Sequence, residues 1–264
     1  MGSAETPAFV VTISGSDASG GAGLQADNRA IHAMGAFPLN VITALTLQTG
    51  QGLQSIDYSP PELVRMHLVS LLNTYPVEVV KAGMLGNAAI VNVLAETLET
   101  YPEIRLVLDP VLRASSGRPL LDQEGVDSLL NALLKHTYLI TPNLPELALL
   151  TGLEAVESWK QEEEAVKILL AKGCQAVLVK GGHRSGSTSI DRLFSKLGVK
   201  EFSTSRVKTE HTRGTGCALA SLIAAGLAEG NGLEESVNEA KQTLFQSLQA
   251  QESNSWPGNG PAFF

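Results

Sequence analysis

The chain has 264 residues, 44% hydrophobic and 17% charged, which excludes a disordered chain and leaves room for one large domain with a sizeable core. Its formal net charge is −8 and no run of Lys or Arg occurs, which argues against a nucleic-acid-binding face. The only cysteines, Cys174 and Cys217, form neither a disulfide framework nor a zinc spacing, and this usage fits a reducing cytoplasm.

In chain order, short β-type runs alternate with helical stretches. Residues 9–14 read as a first strand, 23–34 as a helix and 39–47 as a second strand. Residues 60–74 open with Pro and space Leu63, Met66, Leu68 and Leu71 on a helical repeat. A strand at 77–81 and a helix at 88–99 follow, then a strand at 105–109 that ends in an acid. The pattern continues with a helix at 123–134, a strand at 138–141, helices at 145–150 and 158–172, and a strand at 176–180. Residues 189–207 read as two or three antiparallel strands turning at Leu197-Gly198. Helices at 216–229 and 234–251 close the pattern, with irregular tails expected at 1–7 and 253–264.

This alternation of nearly uncharged strands with helices predicts one α/β domain over residues 1–264, with a mostly parallel central sheet covered on both faces. The longest uncharged stretch, 33–56, contains Pro38, Asn40, Gln48, Gln51 and Gln54, so it is no membrane span. The segment 1–11 carries Glu5 and no basic residue, unlike a signal peptide. A cytoplasmic protein is expected.

In parallel sheets ligands bind beyond the carboxyl ends of the strands, so the segments after each strand carry the functional signal. The first is Gly15-Ser16-Asp17-Ala18-Ser19-Gly20-Gly21-Ala22-Gly23, dense enough in glycine to let backbone approach a ligand. Gly21-Ala22-Gly23-Leu24-Gln25-Ala26 fits a dinucleotide fingerprint only formally, because the strand ends several residues too early and no acid lies where a ribose would need one, and no Walker motif occurs. Asp109-Pro110 and Thr141-Pro142-Asn143-Leu144-Pro145-Glu146 follow later strands. Read alone, the second is as readily an ordinary helix start as a functional motif. Together, Asp109, Asn143 and Glu146 would project from one sheet edge, where carboxylate and amide oxygens suit Mg²⁺. Lys180-Gly181-Gly182-His183 offers a lysine at a strand end, placed to meet a phosphate or simply to begin a turn.

The strongest local signal is Thr212-Arg213-Gly214-Thr215-Gly216-Cys217, which opens a helix without charge until Glu229. Such a helix must be buried, and its glycine-rich entrance points free N–H groups and the positive dipole end into the cleft. That is an anion hole suited to phosphoryl transfer. Cys217 sits where a helix N-terminus lowers a thiol pKa below about 8.5, which suits a base or covalent handle, although a lone cysteine also reads as a small buried hydrophobe.

Taken together, GSDASGGAGLQAD, VITALTLQ, KAGML, LDPV, TPNLPE, VKGGH and TRGTGCALAS resemble the hydroxymethylpyrimidine/phosphomethylpyrimidine kinases of the ribokinase-like superfamily, in order and over about residues 9–249. The resemblance implies a three-layer α/β/α sandwich and a homodimer. It implies transfer of the ATP γ-phosphoryl group to 4-amino-5-hydroxymethyl-2-methylpyrimidine and then to its monophosphate, in thiamine biosynthesis. Gly15, Ala22, Gln48, Met84, Val111 and Cys217 match positions that line the pyrimidine pocket. The Gln48 amide offers both a donor and an acceptor to an aminopyrimidine edge. Gly214, Thr215 and Gly216 match the anion hole and Cys217 the base. Asp109, Asn143 and Glu146 match the Mg·ATP region, with Asp109 and Glu146 as magnesium carboxylates and Glu146 acting through water. Lys180 matches a phosphate-side position.

The chain departs from this pattern at Arg113, at Ala218 and in Glu210-His211-Thr212-Arg213, where the family often has Asn-Thr-His before the anion hole. Arg113 and Arg213 could add charge near phosphates, Arg213 favouring the monophosphate as second substrate. A pyridoxal kinase of the same fold is the rival reading, against which Gln48 argues because the vitamin-B6 ring lacks an aminopyrimidine edge. A non-catalytic pyrimidine sensor would be expected to have lost Cys217, the anion-hole glycines or the Asp109/Glu146 pair, and all are present.

Overall fold

Aliphatic, β-branched runs form the strands, and each lies between helices whose apolar faces need a sheet to cover. The computed structural model describes residues 6–49, 52–114, 117–183, 186–251 and 260. Its strands are β1 (Phe9–Asp17), β2 (Phe37–Thr49), β3 (Gly52–Tyr58), β4 (Val77–Ala82), β5 (Arg105–Leu108), β6 (Thr137–Ile140), β7 (Val177–Val179), β8 (Thr188–Ser195) and β9 (Gly198–Ser205). The helices are α1 (Gly23–Ala33), α2 (Pro61–Thr74), α3 (Ala88–Thr100), α4 (Gln123–Ser128), α5 (Leu144–Thr151), α6 (Trp159–Ala171), α7 (Thr215–Ala228) and α8 (Leu233–Ala250).

The strands form one sheet in the order β3-β2-β1-β4-β5-β6-β7-β8-β9. Pairing is parallel from β2 through β7, while β3, β8 and β9 pair antiparallel. Successive residues of the central parallel strands enter opposite cores. Val11, Val80, Leu106, Leu108, Ile140 and Val177 share one core with residues of α2, α3, α5 and α6. Val10, Val79, Val107, Leu139 and Leu178 share the other with α1, α7 and α8. The result is an α/β/α sandwich, as the alternation of elements predicted. Helix α7 is buried from Ala218 to Leu227, which explains its lack of charge.

Several boundaries differ from the sequence reading. Strand β1 runs on to Asp17 through a register shift between Ser14 and Gly15, because the long β2 keeps pairing with it. Strand β3 was not foreseen: its polar GLQSIDY run lacks an apolar face, as an edge strand allows. The helix expected at 123–134 is α-helical only to Ser128 and continues as a π turn (Leu129–Leu133) and a 3₁₀ turn (Leu134–His136). The antiparallel region holds two strands. Of the tails expected to be irregular, residues 1–5, 252–259 and 261–264 lie outside the described residues. Among the described residues no helix is long and apolar enough to cross a membrane.

Candidate active site

The strand order reverses between β1 and β4, and a cleft of about 780 Å³ opens there at the carboxyl ends of the parallel strands. Every residue given a catalytic, substrate, nucleotide or metal role from the sequence lines it. Gly15 and Ala22 come from β1 and the loop after it, Gln48 from the end of β2, Met84 from the segment after β4 and Val111 from the segment after β5. Asp109, Asn143, Glu146, Lys180, Gly214, Thr215, Gly216 and Cys217 line the same cleft. Gly15 leaves room for Met84: a Cβ would lie 3.0 Å from its sulfur, so that side chain would have to shift. Sequence reasoning missed the far end, where Lys241, Leu244, Phe245 and Leu248 of α8 face Thr204 to Val207. An apolar row on α8 reads equally well as plain core.

The charged centre is built from three neighbouring strand ends. Lys180 Nζ lies 2.6 Å from Asp109 Oδ1 and 3.8 Å from Glu146 Oε2. Thr141 Oγ1 also donates to Asp109 Oδ1, at 3.3 Å. Asn143 caps α5 by accepting from Glu146 N, while Glu146 Oε2 accepts from Asn143 N, both at 2.8 Å. This is a reciprocal capping box, so the local helix-start reading of TPNLPE also holds. It fixes Glu146 beside Lys180.

Burial alone would raise the Asp109 pKa, but the Lys180 and Lys81 ammoniums outweigh it and hold the carboxyl below its ordinary value. Burial likewise opposes the Lys180 charge, and the Asp109 and Glu146 carboxylates overcome it. Glu146 is pushed up to about 7, chiefly by burial; Lys180 opposes the shift and Asp109 adds to it. Beneath this centre Lys81 and Asp27 form a fully buried pair at 2.7 Å, with Ser221 of α7 donating to Asp27 at 2.8 Å. Sequence reasoning gave Lys81 no role; a lysine within an apolar strand was the available signal.

Gly214 caps α7 in the left-handed region at φ +73°, and a Cβ there would lie 2.5 Å from the Gly21 carbonyl oxygen. Among the described residues no side chain caps the helix; Thr215 N donates to the Thr212 carbonyl at 3.4 Å, and the entrance from Gly214 to Cys217 lines the cleft. A Cβ on Gly216 would lie 3.2 Å from Lys180 Nζ, which places the helix entrance against the charged centre. Two expectations need correction. The Cys217 thiol is raised to about 12, because burial and the Asp109 and Asp27 carboxylates outweigh Lys81 and Lys180. Arg213 does not present a free charge to phosphates: its guanidinium pairs with Asp17 at 2.9 Å.

Solved structures share this architecture. A Bacillus subtilis pyridoxal kinase, solved as an ADP complex, superposes with TM-score 0.87 and 25% identity over 98% of this chain and 97% of its own. A Clostridium difficile phosphomethylpyrimidine kinase superposes with TM-score 0.80 and 32% identity over 91% and 99% of the two chains. Fold and cleft thus define a ribokinase-like phosphotransferase. The family model for phosphomethylpyrimidine kinase matches residues 17–262, and the chain belongs to that family. Among curated relatives, a Salmonella typhimurium hydroxymethylpyrimidine/phosphomethylpyrimidine kinase is 42% identical over 95% of each chain. An Escherichia coli enzyme of the same description is 41% identical over 90% of each.

Proposed function

We propose that the protein transfers the γ-phosphoryl group of ATP to the hydroxymethyl oxygen of 4-amino-5-hydroxymethyl-2-methylpyrimidine, and a second such group to the monophosphate. The observation that carries this reading is the junction of two features in one cleft. The uncapped N-terminus of α7 meets the Lys180–Asp109–Glu146 centre, and Gly15, Gln48, Met84 and Val111 frame the space beside them. The S. typhimurium and E. coli relatives carry the same two-substrate name.

Phosphoryl transfer through a loose transition state relies on positioning and charge stabilisation more than on a strong base. In this reading the N–H groups from Gly214 to Cys217 hold the transferring oxygens, and Lys180 balances their charge. Gln48 orients the aminopyrimidine between the walls made by Met84 and Val111. With a loose transition state the acceptor proton leaves late, onto an oxygen of the transferred phosphoryl group, so no strong base is needed. The neutral Cys217 thiol, which lines the cleft at the α7 entrance, orients the acceptor hydroxyl.

The residues present also fit magnesium. Among the described residues no three His, Cys, Asp or Glu side chains converge. Mg²⁺ needs only one or two carboxylates when water and phosphate oxygens complete its shell. Asp109 and Glu146 would hold it, and it would supply charge neutralisation to the triphosphate.

The protein is further proposed to work as a cytoplasmic homodimer. Its two free cysteines fit a reducing compartment. Ile42, Leu45 and Leu47 of β2 and Met66 of α2 leave 38%, 57%, 51% and 60% of their surface exposed, an apolar face suited to a second copy. Sedimentation of wild type and Leu45→Glu tests this: a dimer that the variant dissociates supports it, and a monomeric wild type refutes it.

The activity is tested by coupled ATP consumption with Mg²⁺ and, separately, the pyrimidine alcohol, its monophosphate and pyridoxal. Turnover on both pyrimidines with little on pyridoxal supports the proposal. Turnover on pyridoxal alone overturns it.

A further inference from the structure

The loop after β1 and the loop before α7 lie far apart in sequence, yet one guanidinium joins them. Arg213 Nη2 lies 2.9 Å from Asp17 Oδ2 and donates to Ser19 Oγ at 2.9 Å. Only 8% and 3% of the Arg213 and Asp17 side chains are exposed. The second oxygen, Asp17 Oδ1, accepts from Ser19 N at 3.0 Å and from Ser19 Oγ at 2.8 Å. Gly20 N closes the turn onto the Asp17 carbonyl at 2.9 Å. One carboxylate therefore folds the first loop about itself and presents its free edge to the second.

Two glycines complete the contact. A Cβ on Gly21 would lie 2.8 Å from Arg213 Cζ and 3.0 Å from both terminal nitrogens, so the guanidinium plane rests on bare backbone. In return, Gly214 packs against the Gly21 carbonyl. The first loop carries Gly15 and Ala22; the second carries Gly214 to Cys217.

We infer that Arg213 is a positioning residue. By clasping Asp17 and Ser19 it locks the acceptor-side glycine loop to the anion-hole loop, so that the two halves of the site are assembled before substrate arrives. Arginine suits this task because its charged plane can both pair with a carboxylate and lie flat on a peptide. Lysine would keep the charge and lose the plane. The kinetic consequence rests on the proposed reading that these loops frame the acceptor hydroxyl; the clasp itself does not.

The test uses the full chain as wild type, Arg213→Lys, Arg213→Gln, Asp17→Asn and the double variant Arg213→Gln/Asp17→Asn. Amide hydrogen exchange reads the clasp without substrate. In Arg213→Gln, peptides covering 15–23 and 212–217 are expected to exchange together about tenfold faster, with α5 unchanged. The double variant is expected to match the worse single one, because both substitutions remove one link. In kinetics, KM for the pyrimidine alcohol is expected to rise about tenfold and kcat to fall, with KM for ATP within about twofold and Arg213→Lys intermediate.

Unchanged exchange over 15–23 in Arg213→Gln overturns the clasp whatever the activity. Faster exchange with unchanged acceptor KM and kcat overturns the positioning role. A wild type that turns over no pyrimidine refutes the acceptor reading alone, and exchange still decides the clasp. Should Arg213→Gln fail to fold, Arg213→Lys and Asp17→Asn carry the same comparison with the same two outcomes.

Discussion

Lys180 Nζ bridges two carboxylates, 2.6 Å from Asp109 Oδ1 and 3.8 Å from Glu146 Oε2, at the ends of β5, β6 and β7. The pair Lys180–Asp109 is the point where sheet topology becomes chemistry: two residues 71 positions apart meet because their strands flank β6. A lysine held this way stays charged and immobile until phosphates compete for it.

Removing that charge is expected to affect turnover most. Lys180→Met leaves the transferring group without its cation and should lower kcat/KM by about 10²–10³-fold, the size found when one preorganised transition-state donor is lost. Steady-state kinetics check this. A drop confined to KM for ATP would make Lys180 a ground-state binding group only.

Glu146 gives a pH dependence of stability. Its pKa is raised from 4.5 to about 7, chiefly by burial, so between those values the folded chain holds a proton that the unfolded chain has released. The associated stability is fully present below 4.5 and is lost as pH rises through about 7. At 1.36 kcal/mol per unit, wild type should lose about 2–3 kcal/mol more than Glu146→Gln between pH 5 and 8. Denaturant titrations in metal-free buffer measure this difference. Equal losses would show that Glu146 is ionised throughout.

Cys217 is expected to rest as a neutral thiol and to react only through its small thiolate fraction. With the thiol raised to about 12, alkylation by iodoacetamide in a Cys174→Ala background should accelerate up to pH 9 without levelling. A plateau near pH 7 would restore the standing thiolate expected from its place at a helix N-terminus. Cys217→Ala should fold and lose about 10²-fold in kcat, the size expected when a group that orients the acceptor is removed.

Gly214 and Gly152 separate backbone strain from contact. They share nearly the same φ, +73° and +72°, yet a Cβ at Gly152 meets nothing within 4 Å, while one at Gly214 would meet the Gly21 carbonyl. Gly152→Ala is expected to destabilise by about 1 kcal/mol, and Gly214→Ala by clearly more, with loss of turnover. Thermal melts of the two variants decide it. Equal shifts would mean that the two loops can part without penalty.

The parallel strands were legible because burial on both faces makes them continuous aliphatic runs, as in RLVL of β5. The cleft was legible because glycines, Asp109 and Lys180 stand right after such runs. What stayed hidden depends on tertiary partners. The polar edge strand β3 exists through its pairing with β2. At Cys217 a helix N-terminus would lower the thiol pKa while burial raises it, and the balance depends on Lys81, Asp109 and Asp27, which nothing local announces. Arg213 read as a free cation because nothing local announces Asp17, 196 residues away.

The central claim is that the α7 entrance and the Lys180–Asp109 centre act together to move a phosphoryl group onto a pyrimidine alcohol. A single-turnover experiment with [γ-³²P]ATP, Mg²⁺ and 4-amino-5-hydroxymethyl-2-methylpyrimidine tests it most directly. Label is expected on the pyrimidine in wild type and is expected to be lost in Lys180→Met. Label appearing only as inorganic phosphate, or no transfer at all, would contradict it.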